Sequence, residues 1–383
     1  MTMRMLGLAA MIGILAGPAL AASCHKEPNF NAWLQGVKRD AAAAGISQNA
    51  IAAGLDGVRF DQSIVDKDRA QGVFAQTFLQ FSDRMVEGYR LQQAPGKIAK
   101  LMIVAFWGLE TDFGANIGDG PTLTSLATLA YDCRRPDLFR EQLLYALRII
   151  DRGDLTPAQM RGPWAGEMGQ LQFLPKHYYD YGVDFDGDGH VNLLKSSPDA
   201  LASAANFLAN LGWKRGQPWL QEVSVPANFP WEQADLRIKL PRSEWVAAGV
   251  KAAGKTALPS DGLPAALLLP MGRNGPAFLA YPNFDVYLIW NNSLVYSTTA
   301  AYLAARFAGA PKVHRGHAPD PMSAAEVKEV QKLLQGRGYN VGKIDGIIGL
   351  QTRAAVKDVQ MKLGLPADSY PDTALLAKLT AGT

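Results

Sequence analysis

One glutamate follows a stretch of chain that is entirely apolar. Residues 103–109 (IVAFWGL) carry no charge, and Glu110 comes directly after them, close to Trp107 and Phe113. Burial among apolar neighbours disfavours the ionised carboxylate and raises the pKa of the group. A carboxyl group with a raised pKa can act as a general acid, as in enzymes that protonate the leaving oxygen of a glycosidic bond. The same residue could equally pair with an arginine or cap a helix end.

A second acidic group has the spacing of a calcium-binding loop. In DFDGDGH (184–190), three aspartates and a backbone carbonyl occupy positions 1, 3, 5 and 7 of such a loop. Position 12 is Lys195, which cannot act as a ligand, so an aspartate further along is expected to replace it. We predict a structural calcium or sodium ion, with a solvated turn as the alternative. The predicted ligands are Asp184, Asp186, Asp188, His190 and Asp199.

Aromatic residues between positions 164 and 181 are candidates for stacking on sugar rings. Because much of such a cluster usually belongs to the core, we assign only Trp164 and Phe173 to a binding groove. The histidines lack the spacing of a zinc site. The sequence therefore predicts no metal or organic cofactor for catalysis.

The N-terminus has the pattern of an exported protein. Residues 1–21 begin with one positive charge, continue with an apolar stretch and end in Ala-Leu-Ala, which predicts a secretory signal peptide. The chain has two cysteines, Cys24 and Cys133, and in an oxidising compartment an even pair predicts a disulfide. The alternative is a lipoprotein with lipid on Cys24, although Ala21 stands where leucine is usual.

The elements that must position these residues are mainly helical. Apolar residues recur at three- and four-residue spacing through most of 30–219. Residues 220–290 contain short apolar runs bounded by Pro, Gly and Asn, including DVYLIW (285–290), and we predict that they form a small β-subdomain. Residues 310–322 have the composition of a linker, and 323–383 form a compact helical unit.

Composition excludes one class of partner. The chain has 383 residues and a net charge of +3, which is too balanced for the basic stripe of a nucleic-acid-binding protein.

The C-terminal unit, 323–383, resembles the peptidoglycan-binding module of bacterial wall enzymes. The resemblance lies in VQ at 330–331, GY at 338–339, DG at 345–346 and a second helix that contains Thr352. It implies a small three-helix domain that binds the cell wall.

The larger part of the chain is similar to the lytic murein transglycosylase B family. The matching segments include GLETDFG (108–114), GPWAGEMGQLQF (162–173) and WNNSLVY (290–296). The resemblance implies a lysozyme-like helical core with a small β-subdomain in a mainly α (α+β) chain, and a catalytic domain over 24–309. It implies that Glu110 is the sole catalytic acid and base. The substrate-binding residues that it implies are Arg134, Arg135, Gln172, Trp290, Asn291 and Tyr296.

The sequence departs from the family pattern in two places. Pro163 stands where the family has a serine, and Glu167 stands where it has a small residue. The predicted function is non-hydrolytic cleavage of the bond between N-acetylmuramic acid and N-acetylglucosamine in a periplasmic monomer. Glycan strands are its predicted partner, and other cell-wall enzymes are candidate partners. The alternatives are a hydrolytic muramidase with Glu167 or Asp112 as second carboxylate, and a wall-binding scaffold without activity.

Overall fold

The computed structural model describes residues 24–70, 75–93 and 101–382. The predicted signal peptide over 1–21 lies outside these ranges. None of the helices in the described part of the chain has the length and apolar character needed to cross a membrane.

Helices dominate the fold, and the mainly α prediction is confirmed. They are α1 Phe30–Ala43, α2 Gln48–Leu55, α3 Gln62–Arg69, α4 Phe78–Met85, α5 Gly88–Gln93, α6 Leu101–Thr111, α7 Thr122–Tyr131, α8 Pro136–Arg152, α9 Pro175–Tyr181, α10 Ser197–Asn210, α11 Arg242–Ala247, α12 Pro282–Trp290, α13 Leu294–Phe307, α14 Ala324–Gly336, α15 Leu350–Lys362 and α16 Thr373–Thr380.

The strands form a two-stranded ribbon and a five-stranded antiparallel sheet. The ribbon pairs β1 with β2, and the order in the larger sheet is β4-β6-β7-β3-β5. The strands are β1 Gly120–Pro121, β2 Arg161–Gly162, β3 Leu220–Ser224, β4 Leu240–Pro241, β5 Lys251–Ala252, β6 Pro264–Leu268 and β7 Ala277–Ala280. One face of the larger sheet encloses a separate small core around the fully buried Trp245.

Helix α6 lies at the centre of the main core. Val104, Ala105 and Phe106 are buried, and the helix packs along α13. A helix that is apolar on all sides needs partners on all sides, so α6 enters the core and carries Glu110 into it at its C-terminal end.

The prediction for DVYLIW was wrong, because these residues belong to helix α12 and not to a strand. Pro282 occupies the first turn of α12, where its fixed φ and missing N–H are tolerated. Phe284, Val286 and Tyr287 are buried. A short apolar run does not distinguish a buried helix from a buried strand.

The C-terminal unit has its own core and also packs on the rest of the chain. The Arg353 guanidinium, which is buried, donates to the carbonyl of Leu269 at 2.7 Å. Lys357 Nζ lies 2.9 Å from Asp235 Oδ2, and both side chains are at most 10% exposed. These contacts hold α15 against the β-subdomain.

The predicted linker follows the surface of the main domain. The amide of Val313 donates to the hydroxyl of Tyr302 at 3.1 Å, and the amide of His317 donates to the carbonyl of Asn274 at 2.7 Å. The segment contains no helix or strand, yet it is hydrogen-bonded to the domain it leaves.

Candidate active site

Glu110 lies on the last turn of α6, in a partly exposed position. Tyr296, on α13, donates its hydroxyl to Glu110 Oε1, and Trp290, at the end of α12, donates Nε1 to the same oxygen at 3.4 Å. No described residue donates to Oε2. One carboxyl oxygen is therefore fixed by the protein, and the other is available to a substrate.

Stacked rings support these two donors. The ring of Trp290 stacks on that of Phe106 with centroids 4.3 Å apart and planes 10° apart. Tyr296 is 8% exposed, and its ring lies parallel to Phe106 on α6. Because rings packed in this way have little rotational freedom, the two donors are preorganised toward Glu110.

The environment of Glu110 makes it a proton donor near neutral pH. Burial raises the pKa of Glu110 to about 7 from its ordinary value of 4.5, although the Tyr296 and Trp290 hydrogen bonds act in the opposite direction. The negative charge of Glu167 raises it further. At neutral pH the group therefore populates both the acid and its conjugate base, as a residue that acts in both roles requires.

Asp112 is occupied by other partners. Its carboxylate forms an ion pair with Arg90, whose Nε lies 2.7 Å from Oδ1, and it also accepts from Tyr89 and from Asn116. Asp112 therefore orders the turn after α6 and is poorly placed to activate a water molecule.

The backbone around the site is strained. Asp112, Phe113 and Gln172 have positive φ values of 49°, 61° and 52°, in a region that is costly for residues other than glycine. Such strain persists only where the surroundings impose it, and it concentrates at functional sites.

A turn next to Glu110 carries Gln172. Met168 and Phe173 pair across the turn as an antiparallel bridge. The hydroxyl of Thr111 donates to the carbonyl of Gln170 at 2.7 Å and fastens the turn to α6. Gln172 donates its side-chain amide to the carbonyl of Gly169 at 2.8 Å.

The arginine pair is held by an aspartate that the sequence analysis missed. Arg134 and Arg135 both form ion pairs with Asp68, on α3, which is 1% exposed. The two arginine side chains are between a third and two fifths exposed. Nothing in the local sequence distinguishes Asp68 from a solvated residue on an amphipathic helix.

The prediction for Phe173 differs from the structure. Its side chain is 3% exposed and packs against Trp290 and Phe207. The Phe173 ring therefore supports Trp290 from the core and presents no face to a sugar. Trp164 is partly exposed.

Asn291 follows α12 and is partly exposed. Its Oδ1 accepts from the amide of Ser293 at 2.9 Å, in the turn that leads into α13. The contacts of Asn291 therefore fix the relative placement of Trp290 and Tyr296.

The acidic loop brings three of its five predicted ligands together. Carboxylate oxygens of Asp184, Asp186 and Asp188 lie within 4.8 Å of one another, and all three residues are exposed. His190 follows them, and its amide donates to Asp188 Oδ1 at 2.9 Å.

Asp199 does not join this group. It is fully buried and accepts from the amides of Phe185 and Asn192, each at 2.9 Å. Because its two oxygens bind backbone amides on both sides of the loop, Asp199 shapes the loop from inside.

Cys24 and Cys133 form a disulfide, with Cα atoms 5.3 Å apart. The predicted pairing is confirmed. The bond joins the start of the described chain to the residue before Arg134.

The comparison with protein families decides the classification. A model of the transglycosylase SLT domain matches residues 29–305. The chain belongs to this family. A model of a peptidoglycan binding domain matches residues 323–379. The resemblance found in the sequence is thus confirmed for both parts.

A curated protein is similar in sequence to this SLT-domain chain. Membrane-bound lytic murein transglycosylase B of Escherichia coli K12 is 31% identical over 246 residues, which make up 63% of this chain and 64% of that protein, slightly less than two thirds of its length.

Solved structures are also similar. SltB3 of Pseudomonas aeruginosa, solved with NAG-anhNAM-pentapeptide, is 38% identical with a TM-score of 0.85, covering 92% of this chain and 100% of that chain. Slt35 of Escherichia coli, solved with calcium, is 26% identical with a TM-score of 0.60, covering 74% and 93% respectively.

Proposed function

We propose that this chain is a lytic transglycosylase that cleaves the bond between N-acetylmuramic acid and N-acetylglucosamine in peptidoglycan. The observation that carries the proposal is the Glu110 carboxyl, which has a pKa near neutrality, one oxygen fixed by Tyr296 and Trp290, and the other open. The SltB3 relative, solved with both NAG-NAM-pentapeptide and NAG-anhNAM-pentapeptide, supports it.

In the first step, protonated Glu110 gives its proton to the glycosidic oxygen. The bond from that oxygen to C1 of the muramoyl sugar breaks, and the leaving sugar departs with a hydroxyl group. The resulting Glu110 carboxylate is stabilised by the hydroxyl of Tyr296 and by Trp290 Nε1, since hydrogen bonds to an ionised group are the stronger ones.

In the second step, the C6 hydroxyl oxygen of the same muramoyl sugar bonds to C1, and its proton passes to the Glu110 carboxylate. This closes a 1,6-anhydro ring and restores the acid. No water is consumed, and one carboxyl group performs both proton transfers. The ion pair of Asp112 with Arg90 is consistent with a mechanism that does not require a second carboxylate.

The products of the reaction test the proposal. Full-length protein is incubated with purified sacculi in oxygen-18 water, and the released fragments are analysed by mass spectrometry. We expect 1,6-anhydromuramoyl ends without label. Reducing ends that carry the label would indicate a hydrolytic muramidase, and no release at all would indicate a non-catalytic wall-binding protein.

Substitution of Glu110 is the matching genetic test. Glu110→Gln keeps the size of the side chain and an acceptor for Tyr296, but it cannot give or take a proton. We expect turnover to fall by at least about a thousandfold while glycan binding persists. The variant can no longer transfer a proton, and it cannot form the carboxylate that Tyr296 and Trp290 stabilise.

Glycan strands are the proposed ligand of the site around Glu110. Arg134, Arg135, Trp164 and Gln172 are proposed to contact the glycan, and all four are at least partly exposed. Residues 323–383 are proposed to bind the wall as well. Deletion of this C-terminal unit should weaken binding to sacculi and leave cleavage of short soluble glycans nearly unchanged.

The acidic loop is proposed to bind calcium as a structural ion. Three carboxylates within 4.8 Å repel one another unless a cation neutralises them, and oxygen ligands suit calcium. The calcium complex of the Slt35 relative supports the proposal. Calcium added to chelator-treated protein should raise its melting temperature, because an ion that binds only the folded state stabilises that state.

The proposed location is the periplasm, after removal of the signal peptide predicted at 1–21. Attachment of a lipid to Cys24 would consume the sulfur atom that bonds to Cys133. The disulfide therefore supports export without a lipid anchor on this residue. Intact-mass analysis of the mature protein tests this proposal.

A further inference from the structure

A cavity of about 330 Å³ lies between the β-subdomain and the C-terminal unit. Its walls come from both sides of this interface, with Leu267 and Leu268 of β6 on one side and Leu350 and Ala354 of α15 on the other. Small-ligand sites in proteins have volumes of about 300–1,000 Å³ and often lie between domains. The cavity is therefore large enough to hold part of a ligand.

Helix α12 separates this cavity from the active site. Asp285 and Leu288 of the helix line the cavity, whereas Trp290 donates to Glu110. Two positions along an α-helix correspond to a rotation of about 200°, so Leu288 and Trp290 lie on nearly opposite sides of α12. The cavity is a second site, behind the helix that carries Trp290.

Arg353 brings a buried cation to the wall of this cavity. The residue is 7% exposed, and its guanidinium donates to the carbonyl of Leu269 at 2.7 Å. A guanidinium has five N–H donors, and this carbonyl is the one acceptor that they reach in the described part of the chain. None of its nitrogen atoms is among the described polar atoms that are sealed from solvent without a partner. The remaining donors are therefore accessible, and this cavity is the larger of two that Arg353 lines.

The charge of Arg353 has no carboxylate partner among the described residues. The carboxylates that act on it electrostatically are those of Asp235 and Asp368. Lys357 pairs with Asp235 at 2.9 Å, and Arg273 pairs with Asp368 at 3.5 Å. Burying a cation without an ion pair is costly, and burial accordingly lowers the pKa of Arg353. An anion bound in the cavity would neutralise this charge.

The carboxylates that line the cavity are already neutralised. Asp235 also pairs with Arg237 at 2.6 Å, and Asp285 pairs with Lys239. These pairs leave Arg353 as the cation that faces the cavity without a carboxylate in the described part of the chain. The cavity therefore favours an anionic ligand.

Ser369 adds a hydroxyl group from a strained backbone position. It lines the same cavity, is 5% exposed and has a φ of 64°. Its amide donates to Gln360 Oε1 at 3.0 Å, which holds the segment in place. The hydroxyl has no partner among the described residues and is not one of the sealed polar atoms. Residues other than glycine at positive φ concentrate at functional sites, so Ser369 is a second donor for an anion in this cavity.

We propose that the cavity binds the terminal carboxylate of a peptidoglycan stem peptide. The Arg353 guanidinium and the Ser369 hydroxyl donate to this carboxylate, and the leucine side chains of the wall contact the alanine methyl groups near the end of the peptide. The inference rests on the proposed function and gives the C-terminal unit a ligand. The sugars of the glycan strand are neutral, so a cation without an ion pair favours the peptide over the sugars.

A soluble peptide tests this binding directly. N-acetyl-lysyl-D-alanyl-D-alanine has a free carboxylate, and its C-terminal amide has the same shape without the charge. NMR titration of the full-length protein measures the Kd of each peptide. We expect the acid to bind at least about tenfold more tightly than the amide, because hydrogen bonds from arginine to a carboxylate are among the strong ones. Neither peptide contains a glycosidic bond, so the result does not depend on whether Glu110 cleaves glycans.

Two substitutions locate the site. Arg353→Gln removes the cation and should raise the Kd of the acid at least about tenfold. Ser369→Gly tolerates the positive φ, removes the hydroxyl and should raise the Kd about fivefold. Lys328→Gln, which removes a charge from an exposed residue on α14, should leave the Kd unchanged. Protease cleavage within 310–322 shows whether each variant keeps the C-terminal unit docked, and Ser369→Gly keeps the test valid if Arg353→Gln does not.

Three outcomes would overturn the inference. Equal affinity for the acid and the amide would remove the role of the carboxylate. An unchanged Kd in both Arg353→Gln and Ser369→Gly would place the peptide at another site. Binding of inorganic phosphate without binding of the peptide would make the cavity an anion site for a different class of ligand.

Discussion

The buried Glu110 carboxyl should lower the free energy of unfolding at neutral and alkaline pH by a measurable amount. Its folded-state pKa of about 7 lies above its ordinary value of 4.5, so between these values the folded state holds a proton that the unfolded state has released. Stability is therefore greatest below the unfolded-state pKa, falls as pH rises through this window, and is constant above it. The full effect is about 3 kcal/mol.

Glu110→Gln should remove this penalty. We expect the variant to melt at a higher temperature than the wild-type protein at pH 8, and the difference to vanish near pH 4. Thermal unfolding followed by circular dichroism at both pH values measures it. A variant that is less stable at pH 8 would show that Glu110 is not held in an unfavourable environment.

Tyr296→Phe removes the principal hydrogen bond to the Glu110 carboxylate. Because this bond favours the ionised form, its loss should raise the pKa of Glu110. The alkaline limb of the pH–rate profile should then move to higher pH. We expect kcat/KM to fall about tenfold or more, as a charge-assisted hydrogen bond is worth about 1.5–3 kcal/mol. An unchanged limb would contradict the assignment.

For individual residues, the sequence was informative where a family motif identified the position. It was not informative where the role of the residue depends only on packing in the fold. Glu110, Trp290 and Tyr296 were found because the family resemblance gave their positions, and the structure brings them together. Asp68 was missed because its partners are far along the chain. Phe173 was misplaced because the sequence does not say which side of an aromatic cluster faces solvent.

The elements place these residues through close backbone contacts. Gly162, at the end of β2, has no room for a Cβ atom because the carbonyl of Glu167 would lie 1.9 Å away. The loop that carries both Glu167 and Gln172 therefore depends on a glycine in the neighbouring ribbon.

Gly162→Ala should push this loop out of place. We expect a loss of about 1–3 kcal/mol of stability, which is usual for overpacking, and a fall in kcat/KM of at least tenfold. Gly262→Ala is the matched control, because nothing lies within 4 Å of a Cβ atom there. Equal activity of the two variants would mean that the loop tolerates displacement.

Helix α12 illustrates why one secondary-structure element was predicted with the wrong type. Phe284, Val286 and Tyr287 of this helix are buried, but the exposed side carries the apolar Ile289, which is 55% exposed, so the sequence shows no continuous polar face. Amphipathic helices such as α8 were predicted because half of their surface meets water. A helix whose exposed side also carries apolar residues lacks the periodicity by which its type is recognised.

At the scale of the whole molecule, the C-terminal unit is docked by a buried ion pair. Burial alone would raise the pKa of Asp235, but Arg237 and Lys357 hold it well below its usual range. Sequence composition showed a separate unit and a linker, and it did not show these contacts, because a buried and an exposed lysine look alike in a sequence.

Lys357→Met should loosen the docking. Asp235 would keep only Arg237, which is largely exposed, and we expect a loss of up to about 3 kcal/mol. Protease cleavage within 310–322 should become faster than in the wild-type protein. Lys343→Met, at an exposed site in the same unit, should leave the cleavage rate unchanged. Equal rates in both variants would mean that the ion pair does not hold the interface.

The single disulfide has a consequence for how the protein matures. The chain contains two cysteines, and the bond joins residues 109 positions apart. With one pair, no intramolecular mispairing can occur, so maturation requires an oxidant but no disulfide isomerase. Because Cys133 follows helices α1 to α7 along the chain, the bond can form only after all seven of these helices have been synthesised.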